Sequence, residues 1–346
     1  MVENQVELEV ADRLQKMYLE GTLERSIALL NITRPNICEK RGESQEIDGQ
    51  VQQSCRGCVT QGIGRKGAYA SLEQLTGIID YFAQTWGARV LAIPGQGNPL
   101  HPALAQDTMA LLEYAFNTYG MIGYTFNAVD NLTEENCRRL ADAQVNVMVS
   151  LKGNQFIDAP FFHDHPRYSP PTRKGEQDRP RIAEELNRFL DIYGDHPDQP
   201  AEGLTRIGFN YVVGPSDVAD QGAKLDRLSK AIRARGYWFG VNTPFERNED
   251  QGVQARLEAL QREYVDRPHS LAIKTSDGVH QCALGNTWTA TVGPFGELYQ
   301  CPYMGGMQTD GLFQKVLNDG PDAMSGLMRR YMAPKDTPCI MRPHQR

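Results

Sequence analysis

Thr33-Arg34-Pro35-Asn36-Ile37-Cys38, then sixteen residues (39–54), then Cys55-Arg56-Gly57-Cys58, is the stretch of this 346-residue chain from which its fold follows. Immediately before it, Ser26 to Thr33 (S-I-A-L-L-N-I-T) is apolar nearly throughout, the composition of a parallel strand covered on both faces. Three thiolates therefore follow the C-terminal end of a first strand. Thiolates are soft ligands that suit iron–sulfur clusters, and a common all-cysteine cluster takes four of them. A three-cysteine set leaves one iron open to another ligand. Cys-x2-Cys is also a zinc half-motif, but a zinc ribbon needs a second closely spaced pair, and the sequence has none.

Outward from this stretch the pattern alternates. Residues 1–25 read as an amphipathic helical extension. Ser71 opens a helix with a capping box completed by Gln74, and Leu72, Leu75, Ile78, Ile79 and Phe82 form its apolar stripe. Strands are predicted at Arg89–Ile93, Met121–Ala128, Val145–Leu151, Arg206–Val213 and Tyr237–Thr243. Helices are predicted at His101–Tyr119, after Thr133, and at Arg181–Tyr193, Ala223–Arg235 and Val253–Val265. Six strand–helix alternations imply a parallel sheet with helices outside, as a partial barrel or a doubly wound sheet. Residues 153–180, rich in proline, histidine and charge, read as a lid or insertion. His163, Asp164 and His165 lie there without a third ligand at metal spacing. Cys137, on a short helix beside Leu140, reads as core.

Composition bounds the function. The net charge of −7 argues against nucleic acid as the main partner, which needs a concentrated basic surface. No apolar run reaches the length that spans a bilayer, and Met1–Glu9 is polar and acidic rather than signal-like, so the expected location is cytoplasmic. The seven cysteines are an odd number, which favours metal ligation over a disulfide framework.

Three further groups lie at predicted strand ends, where parallel-sheet enzymes bind ligands. Gly95-Gln96-Gly97-Asn98-Pro99 follows the second strand, and its glycines let exposed backbone approach a ligand closely. Ser150-Leu151-Lys152-Gly153 ends the fourth. Asn127, Asn210 and Asn242 recur near the ends of the third, fifth and sixth, and a buried amide there needs a partner. In the tail, Cys282, Gly296 and Cys301 follow a C-x13-G-x4-C spacing, with Cys339 beyond. Thr287–Val292 and Glu297–Gln300 read as a β-hairpin about Gly293-Pro-Phe-Gly296.

Taken in this order, the motifs resemble those of the radical S-adenosylmethionine (SAM) enzymes. The resemblance covers about residues 26–340, and it selects a partial (β/α)6 TIM-like barrel over residues 26–268. It implies that Cys38, Cys55 and Cys58 bind a [4Fe–4S] cluster whose open iron is chelated by SAM, and that reductive cleavage of SAM yields a 5′-deoxyadenosyl radical. The family spacing is C-x3-C-x2-C, from which C-x16-C-x2-C departs by a long insertion. Gly95–Pro99 is similar to the Gly-x-Gly-Glu-Pro motif that receives the SAM amino group, with Asn98 in place of glutamate. Ser150–Gly153 resembles Ser-Leu-Asp-Gly, with Lys152 in place of the acid. Residues 269–346 resemble a SPASM/Twitch auxiliary-cluster domain, which implies that Cys282, Cys301 and Cys339 hold a second [4Fe–4S] cluster. The resemblance also implies an electron donor such as flavodoxin or ferredoxin. With no peptide-binding module ahead of the barrel, the expected substrate is a small molecule (sugar, aminocyclitol or nucleoside), undergoing dehydrogenation, epimerisation or ring formation. Maturation of a ribosomal peptide and a non-catalytic cysteine–metal scaffold are the alternatives.

Overall fold

The computed structural model describes residues 29–35, 45–47, 50–52, 69–94, 97–127, 131–151, 185–193, 207–234, 237–242, 249–264, 273–274, 280–281, 289–294, 296 and 298–299. The chain opens with β1 (Leu29–Ile32), β2 (Gln45–Ile47) and β3 (Gln50–Gln52). It continues through α1 (Leu72–Thr85), β4 (Val90–Ile93), α2 (Ala105–Tyr119), β5 (Ile122–Asn127), α3 (Glu134–Asp142) and β6 (Asn146–Leu151). Next come helix α4 (185–193), β7 (Ile207–Val212), α5 (Pro215–Ala219), α6 (Ala223–Ala234), β8 (Trp238–Asn242) and α7 (Gln251–Tyr264). The described chain ends with the short strands β9 (Ile273–Lys274), β10 (His280–Gln281), β11 (Thr289–Val292) and β12 (Leu298–Tyr299). The predicted extension over 1–25 and the insertion over 153–180, with His163, Asp164 and His165, lie outside the described residues.

Local chemistry sets the helix ends. At α1 the Ser71 Oγ accepts from the Gln74 N–H (3.2 Å) while the Gln74 Oε1 accepts from the Ser71 N–H (2.9 Å), the reciprocal bonds of a capping box. Thr133 caps α3 through Asn136 N–H (3.2 Å). Gly120 ends α2 in the left-handed region at φ 62, its N–H donating to Phe116 O. The five-residue α5 has no counterpart in the sequence reading.

The main sheet runs β12-β11-β1-β4-β5-β6-β7-β8. From β11 to β8 every pair is parallel, and from β1 onward each strand neighbours the next one of the alternation. A doubly wound sheet reverses its order at a switch point, whereas this order never reverses. Right-handed crossovers then put every helix on one side, and the architecture is an open partial barrel. Only β12 is antiparallel, to β11. The C-terminal hairpin therefore enters the barrel sheet itself, with Leu29 opposite Thr289 and Ile32 opposite Val292.

The core lies between sheet and helices. Leu30, Ile32, Leu91, Ile93, Val147, Val149, Phe209, Phe239, Val241 and Val292 line the helix-side face, fully buried with Leu75, Ile78, Ile79, Phe82, Met109 and Leu112. Helix α2 comes so close over β5 that a Cβ on Gly123 would lie 2.9 Å from Val145 Cγ2 and 3.2 Å from Leu112 Cδ2. Cys137 is fully buried in this core, and burial pushes its thiol up to about 12, so it stays protonated.

Candidate active site

Residues paired across neighbouring parallel strands carry their side chains on the same face, and alternate residues carry them on opposite faces. Applied to the register, this sorts the strand-end residues. Ser150 is opposite Asn210, Asn210 is opposite Gly240, and Asn242 is opposite Val212. All share the inner face, away from the helices. The Asn242 amide donates to Asn210 Oδ1, so the two side chains meet near the C-terminal end of β7 and β8. Ser150 and Asn210 are half-buried, and Asn242 and Val212 are exposed. These three polar groups form one neutral, hydrogen-bonding patch.

Asn127 is not part of it. Its register partner is Val149, a helix-side residue, so Asn127 faces the core side at 1% exposure. Its Nδ2 donates to Thr125 Oγ1 (3.4 Å), and its Oδ1 has no partner among the described residues. Sequence alone shows that an asparagine ends the strand; the face depends on the pairing.

Gly97 sits at φ 109, in the region that favours glycine. Asn98 is buried, and its Oδ1 accepts from Leu100 N–H (3.1 Å) while its carbonyl accepts from His101 N–H (2.9 Å). The Asn98 side chain thus helps to fold its own turn, which feeds α2. Gly95, Gln96, Lys152, Cys38, Cys55, Cys58, Cys282, Cys301 and Cys339 lie outside the described residues. Among the described residues no group of three or more His, Cys, Asp or Glu side chains is disposed to hold a metal ion, and no helix is long and apolar enough to cross a membrane.

Three features around these strand ends escaped the sequence reading. Within the long interval between Cys38 and Cys55, β2 and β3 pair antiparallel, Gln45 with Gln52 and Ile47 with Gln50. The signal was available in the sequence: Asp-Gly at 48–49 is a dipeptide that favours a two-residue hairpin connection. The inner face also carries Asn31, Asn146 and Thr291, each buried, with Asn146 Oδ1 and Thr291 Oγ1 unpartnered among the described residues. Finally, Arg34, one residue past Thr33, is buried and paired with Asp107 at 3.1 Å.

The donor chemistry of the first segment fits a cluster. It leaves β1 at the same end of the sheet where Ser150, Asn210 and Asn242 gather, and its three thiolates suit iron with one position open.

No family model matches the chain, and no curated protein matches it. Among solved structures, anSMEcpe with bound AdoMet is similar at 12% identity and a TM-score of 0.47, over 84% of this chain and 82% of that one. The same protein with bound AdoMet and a Cp18Cys peptide is similar at 10% identity and a TM-score of 0.45, over 84% and 81%. Coproporphyrinogen III oxidase (HemN) from Escherichia coli, described as a radical SAM enzyme, is similar at 13% identity and a TM-score of 0.32, over 71% and 50%. Likeness at this level transfers no chemistry to the residues of this chain.

Proposed function

We propose that the protein is a radical SAM enzyme in which Cys38, Cys55 and Cys58 hold a [4Fe–4S] cluster and the inner face of the barrel receives SAM and a small-molecule substrate. The observation that carries this reading is the convergence of Ser150, Asn210 and Asn242 on the inner face, at the strand ends from which the first cysteine segment departs. Bound there, the cluster and SAM would supply the one-electron chemistry that starts hydrogen abstraction from substrate. The protein's part is to bind and orient. Amide and hydroxyl groups donate and accept without charge, which suits the hydroxyls of a sugar, aminocyclitol or nucleoside. The β2–β3 pairing supports the atypical spacing, because it closes half of the sixteen-residue interval, residues 45–52, on itself. Cys282, Cys301 and Cys339 hold a second cluster, and a flavodoxin or ferredoxin in the cytoplasm supplies electrons.

The test is 5′-deoxyadenosine formation from SAM by the anaerobically reconstituted protein under strong reductant, beside Cys58→Ala. Formation by the parent alone supports the reading. A parent that binds zinc in place of iron and leaves SAM intact overturns it in favour of a metal scaffold.

A further inference from the structure

We propose that Arg34 is a positioning residue that, through Asp107, sets the exit of β1 against the Gly97–Asn98 turn and so fixes the opening in which SAM is received. The proposal rests on the radical SAM reading above.

Arg34 leaves β1 on the helix side, the face opposite Asn31 and Thr33, and its side chain is 6% exposed. Its guanidinium meets the Asp107 carboxylate at 3.1 Å, while Asp107 is 51% exposed. Burial disfavours the charged guanidinium and Asp107 opposes that effect. Arg34 Nε is buried without a partner among the described residues. Such a pair is a poor source of stability, because desolvating the cation offsets most of the attraction; an apolar side chain of similar size serves the core as well. What the pair does supply is a fixed distance between two segments.

Those segments are the ones the site needs held. Arg34 lies four residues before Cys38. Asp107 stands in the first turn of α2, and backbone bonds link the start of that helix to the Gly97–Asn98 turn. Leu100 N–H donates to Asn98 Oδ1 (3.1 Å), His101 N–H to Asn98 O (2.9 Å), Ala105 N–H to His101 O (2.9 Å) and Thr108 N–H to Leu104 O (2.9 Å). The N-cap Leu104 contributes no side-chain bond, so the start of α2 is held by the backbone bonds of this turn, with the Asp107 carboxylate in the first helical turn. A shift at Asp107 is therefore passed to Asn98, and a shift at Arg34 to the start of the cysteine segment.

The experiment compares the full-length parent with Asp107→Ala and Asp107→Glu, each reconstituted anaerobically. Iron per chain, thermal midpoint, the electron paramagnetic resonance spectrum of the reduced cluster with and without SAM, and KM and kcat for 5′-deoxyadenosine formation are measured. Removing Asp107 leaves the buried Arg34 guanidinium unpaired, so the alanine variant is expected to show a lowered thermal midpoint while loading iron as the parent does, and the glutamate variant to recover the midpoint. Its KM for SAM is expected to rise roughly tenfold or more while kcat changes little, with a weakened SAM-induced spectral change, and the glutamate variant is expected to restore both. Parent-like KM and spectra in the alanine variant overturn the proposal. Loss of iron together with a lowered midpoint, not restored by glutamate, also overturns it, since that marks a merely structural pair. A parent that itself leaves SAM uncleaved fails the underlying reading, a failure distinct from any confined to the variants.

Discussion

The backbone N–H of Ala70 donates to the carbonyl of Pro294 at 2.8 Å, where the chain returns from the first cysteine segment. At the other end of that segment Thr33 N–H and Oγ1 both donate to Val292 O, at 2.8 and 3.0 Å. The C-terminal hairpin thus holds both ends of the stretch that carries Cys38, Cys55 and Cys58, and its turn depends on Gly296 at φ 78, with N–H bonded to Gly293 O (3.0 Å). Among the described residues no atom lies within 4 Å of the position a Cβ would take there, so the penalty for a side chain is conformational. Gly296→Ala is expected to cost about 1–2 kcal/mol. Denaturant midpoints measure the cost, and amide exchange at Ala70 is expected to accelerate; an unchanged midpoint and exchange rate would show that the turn does not support this contact.

Pairing of Gln45 with Gln52 makes residues 45–52 a closed excursion within the sequence between Cys38 and Cys55. Register partners in an antiparallel pair have Cα atoms about 4.5–5.5 Å apart, a gap one or two residues span. Replacing residues 45–52 by Gly-Gly is therefore expected to leave iron per chain and 5′-deoxyadenosine formation as in the parent. Loss of iron at an unchanged thermal midpoint would instead make the hairpin part of the site.

Under β7, on the helix side, Asp217 is 1% exposed and accepts from Tyr211 Oη (3.0 and 3.2 Å) and from Gly214 N–H (2.7 Å). Lys224 Nζ donates to the same tyrosine and lies 3.7 Å from the carboxylate. Burial lowers the Lys224 pKa, and Asp217 opposes it. Removing the shared carboxylate leaves buried donors and a buried ammonium less well compensated. Asp217→Ala is expected to cost roughly 3–5 kcal/mol in chemical denaturation, against well under that for a solvent-facing aspartate.

On the outer surface Tyr114 donates to Asp80 at 2.6 Å, and this bond, ahead of burial, pushes its phenol up to about 12 from 10.0. The folded state therefore holds the proton more tightly than the unfolded chain. The associated stability is fully present below pH 10 and is lost as pH rises towards 12. Thermal midpoints measured from pH 9 to 12 are expected to fall less steeply for Tyr114→Phe than for the parent; parallel curves would show that the bond contributes nothing.

The main strand and helix series was legible in the sequence because its signals are local. The apolar run of β1, the Ser71–Gln74 box, the Thr133 cap and the Gly120 stop act within a few residues. Which side chains share the inner face was not legible. Asn127 and Ser150 end neighbouring strands and look alike in sequence, yet the register of Asn127 with Val149 sends them to opposite faces, since a one-residue difference in pairing exchanges inside and outside. Tertiary structure alone likewise decided that Thr289–Val292 pairs with Leu29–Ile32 and that Arg34 reaches Asp107, contacts between segments distant in the chain. The sequence by itself determined the alternation of elements and the chemistry of the cysteine segments; pairing across the sheet decided which polar groups meet, because register is a property of two strands and is written in neither one.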